Sequence, residues 1–379
     1  MSNIQPSGDA AEIPTELHRS SRDMEVFRAA LERALAKRFA DGSEHHVGEL
    51  SGTSATGMSS ETLLFDASWK EAGETRIERL VARVAPDEHD VPVFPEYDLA
   101  GQFRTIETVA NLTDVPVPPP WWCEPDPAVI GAPFFVMGRV DGEVPPDIMP
   151  YNFGDSWLFN ASPAEQARLQ DSTIDVLVRL HAIDDPLQRF PHLGGNFPGD
   201  TPLRRHVAGR REWYEWATKD SGRSQLIEKG FAWLEDHWPA HESPPVFSWG
   251  DSRIGNVLYR DFEPAAVLDW EMAAVGPHEL DLAWMAYLHR MFEDMAQQYG
   301  FPGMPGFLRL EDAATTYERL SGRSPRDLDW YTTYSCLQFA IVMLRTGHRS
   351  VHFGERDAPL DADELIMNGP TLAALIERA

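Results

Sequence analysis

The sequence predicts an α+β fold in two lobes, a small one of antiparallel sheet plus helices and a large one that is mainly helical. Three observations carry that prediction. Helical and strand-like runs alternate over roughly the first 140 residues and then give way to helices. The length of 379 residues exceeds what one small core needs. A short β-rich stretch bearing two acids and an amide interrupts the helical part.

In chain order, residues 1–14 are polar and rich in small side chains, and are expected to form a mobile tail. Met24, Phe27, Leu31, Leu35 and Phe39 recur at helical spacing and predict an amphipathic helix. The runs 47–50, 62–69 and 77–84 are rich in β-formers and bounded by turn residues, so they are expected as strands. Residues 97–112 return to helical spacing. The run Val115-Pro-Val-Pro-Pro-Pro120 predicts an extended connection, and 133–142 a short apolar strand running into a turn. The lobes then divide into 15–142 and 143–379. Helices are expected over 163–183, 203–218, 226–238, 279–299, 308–320, 328–346 and 370–378, with short strands around the acids and amide.

Sixty acidic against 33 basic residues give a net charge of -27, which argues against a nucleic-acid partner. It is compatible with a cationic small molecule, and more readily explained as a surface charged for solubility. Cys123 and Cys336 lie far apart and fit neither a disulfide framework nor a zinc site. No run approaches the roughly 20 apolar residues of a membrane helix. The first residues lack the basic and apolar regions of a signal peptide, so a cytoplasmic protein without membrane contact is expected.

The chemistry concentrates in Trp249-Gly-Asp-Ser-Arg-Ile-Gly-Asn256-Val-Leu and Ala266-Val-Leu-Asp269-Trp-Glu. Asp251 is free to orient or deprotonate a hydroxyl, while Asn256 and Asp269 offer hard oxygen ligands for magnesium on ATP, a set that suits phosphoryl transfer. Asp and Asn abound in turns for local reasons. Here, however, the second acid sits at the end of an apolar strand, and Asp281-Leu-Ala-Trp284 adds an independent constraint.

With Gly276-Pro-His-Glu-Leu-Asp-Leu-Ala-Trp284 these segments resemble the aminoglycoside phosphotransferase and choline kinase-like family, especially the branch containing the kinase domains of certain acyl-CoA dehydrogenases. The resemblance runs from about residue 24 through most of the chain. It implies a bilobal protein-kinase-like fold with ATP between the lobes and a small-molecule hydroxyl as acceptor. By the same resemblance Asp251 is the catalytic base or substrate-orienting acid, Asn256 and Asp269 hold Mg2+, and Asp281 braces the catalytic loop. Arg83 takes the place of a strand lysine that meets the nucleotide phosphates. Thr53 and Ser54 lie in the phosphate-covering loop. Gly138 and Val140 meet the adenine edge, and Met137 lines the back of its pocket.

Three positions depart from the family pattern. Trp249 stands where a structural His is usual, Gln102 where an acid normally pairs with the strand cation, and Thr53-Ser54 where a second Gly belongs. Arg83 is therefore paired with Glu96 or Glu107, or held by hydrogen bonds. Glu271, Glu279, Glu293 and Asp294 are expected either to face a cationic acceptor such as a polyamine sugar or to form a solvated face. Trp213, Tyr214, Trp216, Trp233 and Trp238 either cage a cation or pack. His181 is read as structural. A hydroxyacyl-CoA acceptor, served by Arg204, Arg205, Arg210 and Arg211, and a nucleotide-binding regulatory module are the competing readings.

Overall fold

The computed structural model describes residues 23–52, 60–86 and 91–378. The expected tail over 1–14 and the loop residues Thr53 and Ser54 lie outside them. Asp23 caps α1 (Met24–Arg38) by accepting from the Glu25 and Val26 amides. The sheet that follows contains β1 (Ser43–Val47), β2 (Ser51–Gly52), β3 (Glu61–Glu71) and β4 (Glu74–Val84). Ala72 and Gly73, with φ of 51° and 86°, join β3 to β4 as a two-residue turn of the kind that matches strand twist. After α2 (Leu99–Leu112), capped by Asp98, β5 (Pro120–Glu124) and β6 (Phe134–Gly138) complete the sheet. The order along it is β1-β3-β4-β6-β5, with every pairing antiparallel and β2 paired to β3. One face packs on α1 through Phe27, Leu31, Phe65, Trp69, Leu80 and Phe134.

The large lobe opens with α3 (Pro163–His181), started by a full capping box between Ser162 and Glu165. The short α4 (Pro186–Arg189), α5 (Pro202–Ser221) and α6 (Gln225–Asp236) follow, the last two capped by Thr201 and Ser224. Two ribbons then form, β7 (Pro245–Ser248) with β10 (Ala274–Pro277), and β8 (Val257–Arg260) with β9 (Glu263–Val267). Four further helices end the chain: α7 (Glu279–Tyr299), α8 (Leu310–Ser321), α9 (Leu328–His352) and α10 (Gly369–Glu377). One core runs from Val81, Phe103 and Phe135 beneath the sheet to Leu177, Trp249 and Val257, tying the lobes together behind the cleft. A second joins α5, α6, α7 and α9. No helix among the described residues is long and apolar enough to cross a membrane.

The structure bears out the α+β class and the kinase-like arrangement, and it corrects several elements. The strand expected at 47–50 is instead the polar β1 ending at Val47, followed by a break in which the Gly48 amide donates to the Asp66 carbonyl (2.8 Å). β1 is an exposed edge strand, and so lacks the apolar alternation that marks a half-buried one. Residues 115–119 form the extended connection expected there, and β5, which was not expected, follows directly; Pro120 is tolerated as its first residue. Helix α9 continues past Thr346 to His352.

Two buried histidines are associated with α7. His278, just before it, stacks on Tyr317 (5.2 Å, 12°), and His289 within it bonds through Nδ1 to the Tyr151 hydroxyl (2.6 Å). Burial, with the His181 charge adding to it, pushes His278 down to about 3, and burial lowers His289 to about 4. Their folded pKa values lie below the ordinary 6.5, so the unfolded chain binds protons that the folded chain excludes. That contribution to stability is whole above about pH 6.5 and falls as pH drops toward 4. His289→Gln is expected to flatten the acid limb of a urea-denaturation series taken from pH 7 to about 4. An unchanged slope would remove His289 from the acid response.

Candidate active site

The loop between β7 and β8 is built around Asp281. Two residues into α7 and fully buried, its carboxylate accepts from four groups. Oδ1 receives the Ser248 hydroxyl and the Gly250 amide, both at 2.8 Å. Oδ2 receives the Trp249 amide at 2.8 Å and pairs with His181 Nε2 at 3.0 Å. Trp284, three residues on and so on the same helix face, donates its indole N–H to Asp251 Oδ1 (2.8 Å). Gly250 lets the chain turn between these anchors: its φ is +90°, and a Cβ there would stand 2.0 Å from the Met272 carbonyl oxygen.

Asp251 is thereby held from several sides. Asn256 Nδ2 donates to its Oδ2 (2.6 Å) and Arg253 Nε to the same oxygen (3.3 Å). A side-chain exposure of 15% leaves an edge open to a ligand. Arg253 also pairs with Asp147 from the segment that crosses between sheet and helices. Burial works against the Arg253 charge, but Asp147, Asp251 and Asp269 outweigh it and hold its pKa above the ordinary arginine value.

Asn256 and Asp269 are brought side by side by the β8–β9 ribbon, in which Val257 faces Val267 and the Leu268 amide donates to the Asn256 carbonyl (2.8 Å). Asp269 adopts φ 58°, a left-handed geometry that Asp tolerates better than most residues. The Trp249 indole fixes that turn by donating to the carbonyls of Leu268 (2.9 Å) and Asp269 (3.2 Å). Trp249 therefore does bracing work at the position where the family pattern has His. Because the Asn256 amide nitrogen is committed to Asp251, its Oδ1 is the atom left to coordinate. A neutral carbonyl oxygen beside the Asp269 carboxylate is a hard donor pair that fits Mg2+, an ion that keeps waters and substrate phosphates in its shell. Among the described residues no group of three or more His, Cys, Asp or Glu is placed to hold a metal.

Arg83, Met137, Gly138, Val140, Asn256 and Asp269 all line one cavity of about 480 Å³ between the sheet and the β8–β9 ribbon. Asp251 lies one hydrogen bond behind its wall, through Asn256, and Asp281 lies behind the loop. Arg83 is buried; Nη1 donates to the Thr62 hydroxyl (2.8 Å) and Nη2 meets Asp269 at 3.4 Å. Of the three arrangements open for this arginine, the hydrogen-bonded one is found, with Asp269 in place of any helix acid; Gln102 lines the same cavity. The pairing joins residues 186 positions apart, and no local pattern announces it. Thr62, Asp147 and Arg253 were given no role from sequence for the same reason.

A second cavity of about 580 Å³ adjoins the first at Gln102 and Trp270, which line both. The structure changes several expectations there. Of the four acids after Asp269 only Glu271 lines it. Glu279 is buried against Ser243, its pKa raised by burial; Glu293 accepts from Asn152 and the Met304 amide, and Asp294 from Thr371. Trp213 and Trp216 reach the cavity, whereas Tyr214 is core, Trp233 stacks on His237 and Trp238 lies under Arg204. Arg205 and Arg210 line it; Arg204 and Arg211 are tied to glutamates elsewhere. His181 is structural, bonded to Asp281 and to the Tyr317 hydroxyl (2.8 Å).

Comparison with known proteins bears on the family and the fold. The phosphotransferase enzyme family matches residues 63–326. Human acyl-CoA dehydrogenase family member 11 is 28% identical over 232 residues, 60% of this chain and 28% of the relative. Mouse family member 10 is 26% identical over 330 residues, 82% of this chain and 28% of the relative. The chain thus spans about a third or less of the length of the curated relatives it matches. Among solved structures, a Ralstonia eutropha protein named for the aminoglycoside phosphotransferases aligns with TM-score 0.61 and 22% identity, covering 92% of this chain and 97% of that one. Aminoglycoside phosphotransferase APH(4)-Ia, in a ternary complex with AMP-PNP and hygromycin B, aligns at 0.53 and 17%, covering 92% and 98%. At these identities the structural likeness shows the fold.

Gly250→Ala tests how tightly the loop is constrained. Left-handed strain plus a Cβ pressed against backbone is expected to remove about 2–5 kcal/mol of stability in chemical denaturation. A loss below about 1 kcal/mol would mean that the loop can move away from Met272 without consequence.

Proposed function

The chain belongs to the phosphotransferase enzyme family, and from that premise we propose that it is an ATP- and magnesium-dependent O-phosphotransferase acting on the hydroxyl of a small molecule. The observation that carries the reading is the meeting of Arg83, Asn256 and Asp269 on one cavity, with Asp251 a single hydrogen bond away. In this reading residues 15–142 hold most of the nucleotide and residues 143–379 the acceptor. Met137, Gly138 and Val140 line the adenine end, and Arg83 meets the phosphates with a forked rather than a point-like cation.

Asn256 and Asp269 would hold the metal, which when bound neutralises charge on the phosphates. Asp251 orients the acceptor hydroxyl through its open edge and takes its proton as the new O–P bond forms. The bond from the γ-phosphorus to the bridging oxygen breaks and ADP leaves. Charge spreads over the transferring group, so positioning and electrostatics do most of the work. Donors to both Asp251 oxygens, from Trp284, Asn256 and Arg253, fix its direction before substrate arrives.

A hydroxyacyl-CoA acceptor is the second reading, supported by Arg205 and Arg210 in the adjoining groove and by the names of the curated relatives. The cationic acceptor suggested by the acids after Asp269 has less support, because of the four only Glu271 lines the groove, while Glu279, Glu293 and Asp294 are bonded to Ser243, to Asn152 and the Met304 amide, and to Thr371.

Asp251→Asn is expected to lower turnover by about 10²- to 10⁴-fold with little change in ATP affinity, read by steady-state kinetics and by mass gain of a phosphorylated acceptor. Near-normal turnover in this variant would end the assignment, and no ATP turnover with any hydroxyl acceptor would favour a regulatory nucleotide-binding module. Asp269→Ala is expected to abolish the magnesium dependence of ATP binding in calorimetry, and Asn256→Ala to weaken it less, because a neutral oxygen contributes less charge. Equal affinity with and without magnesium in the parent protein would sink the metal assignment.

A further inference from the structure

Many of the arginines around the helical core are paired with acids, as expected where 60 carboxylates face 33 lysines and arginines. Along α5 and just beyond it, Arg204 pairs with Glu235, Arg211 with Glu215 and Glu228, and Arg223 with the same two glutamates. Arg345, buried nearby, pairs with Asp220 (2.6 Å). Two arginines of α5 have no such pair among the described residues: Arg205, whose Nη1 donates to the Gly199 carbonyl (3.1 Å), and Arg210. Arg210 is partly buried and lines the groove beside the nucleotide cavity, and its partners are neutral. Nε donates to Gln338 Oε1 (2.9 Å), Nη2 meets His206 Nε2 (3.4 Å), and the guanidinium lies 5.6 Å from the Trp213 ring centre. His206 supplies no counter-charge: burial first, then the Arg210 charge, pushes its pKa well down, and its Nδ1 bonds to the Tyr334 hydroxyl (2.7 Å). No carboxylate among the described residues forms an ion pair with Arg210, and burial lowers its pKa.

Desolvating a cation without a counter-ion is costly, and the cost is relieved when a ligand brings an anion to it. A guanidinium fork matches a carboxylate or a phosphate with two parallel hydrogen bonds. We infer that the floor of this groove is an oxyanion subsite in which Arg210 receives a carboxylate or phosphate group carried by the acceptor on an apolar body. The walls suit such a body, since Phe94 stacks on Trp213 (4.9 Å, 26°) and Phe197 and Trp216 face the same space. The acids of the groove do not cancel Arg210. Glu96 and Glu212 are exposed, where salt screens them, Asp98 caps α2, and Glu271 lies by Tyr97. The subsite deepens the phosphotransferase reading and rests on it in one respect, that this groove is where the acceptor sits.

The test uses the full chain without nucleotide and four matched probes: phenylacetate, phenyl phosphate, neutral phenylacetamide and cationic benzylamine. Binding is read by calorimetry and by quenching of the groove tryptophans. At least one anion is expected to bind about tenfold or more tighter than the amide and the amine. Arg210→Gln is expected to weaken that anion about tenfold to a hundredfold, to the level of the amide, while Arg210→Lys keeps part of the preference. Whichever anion is preferred identifies a carboxylate or a phosphate ester as the natural group. Arg83→Gln serves as the control for phosphate entering the nucleotide cavity, and should leave the preference in place. Benzylamine or the amide binding as tightly as both anions overturns the subsite, as does a folded Arg210→Gln with unchanged preference. If Arg210→Gln unfolds in a thermal melt, the probe ranking in the parent and in Arg210→Lys decides. Since no ATP is present, failure of the phosphotransferase reading would show as absent turnover with the anion preference intact, whereas failure of the subsite would leave turnover untouched.

Discussion

The centre of this protein depends on one buried carboxylate. Asp281 has no access to water, and an ion of that kind persists inside a protein only if its lone pairs are filled. They are filled from two separate pieces of chain: the end of α3 through His181, and the end of β7 with the turn that follows it through Ser248, Trp249 and Gly250. Moving either of these would strand the charge, so they move together or not at all. The backbone feels a further constraint from Ser252, whose hydroxyl donates to the Asp281 carbonyl (2.7 Å). The rigidity of the loop that carries Asp251 is thus a consequence of the cost of leaving Asp281 unsatisfied.

That rigidity passes outward through single hydrogen bonds. Trp249 has its amide on Asp281 and its indole on the carbonyls of Leu268 and Asp269, so one residue spans from the buried acid to the turn of the second acid. Its ring is fully buried and packs near Trp270 (6.0 Å). A smaller ring would leave volume to fill, which couples the bracing hydrogen bond to core packing. Asn256 then joins the two halves, its side chain on Asp251 and its carbonyl on the Leu268 amide.

Much of this was legible in the sequence because it is local. The Asp281–Trp284 spacing places both on one helix face, and helix starts at Ser162-Pro163 and Thr201-Pro202 announce themselves by capping chemistry. The motif residues of β8 and β9 are neighbours in space because a short hairpin makes them so. What sequence could not give is non-local or concerns facing. The polar β1 carries no apolar alternation. Arg253 meets Asp147, and Arg83 meets Asp269, only after the lobes pack. Glu279 and Glu293 read like cleft acids, yet α7 is buried over most of its circumference and turns them inward to Ser243 and Asn152.

Two arginines of the cleft, Arg83 and Arg210, stand in opposite electrostatic states, and that contrast bears on how it fills. Arg83 is neutralised by Asp269 at 3.4 Å, with side-chain exposures of only 10% and 12%, so neither charge is left alone in a poorly hydrated place. A divalent cation arriving by itself would have to take Asp269 and leave Arg83 buried without its partner. A nucleotide arriving by itself would take Arg83 and strand Asp269. Under the proposed function the phosphates and the cation would arrive together and replace both halves of the ion pair at once, so each would lower the cost of admitting the other, a coupling free energy between two ligands. Arg210 has no such internal partner to give up. An anion there would gain the new pairing, less its own desolvation, without an ion pair having to be broken first. On the proposed function, the cavity lined by Arg83 and Asp269 would exchange charges, and the adjoining groove would receive one.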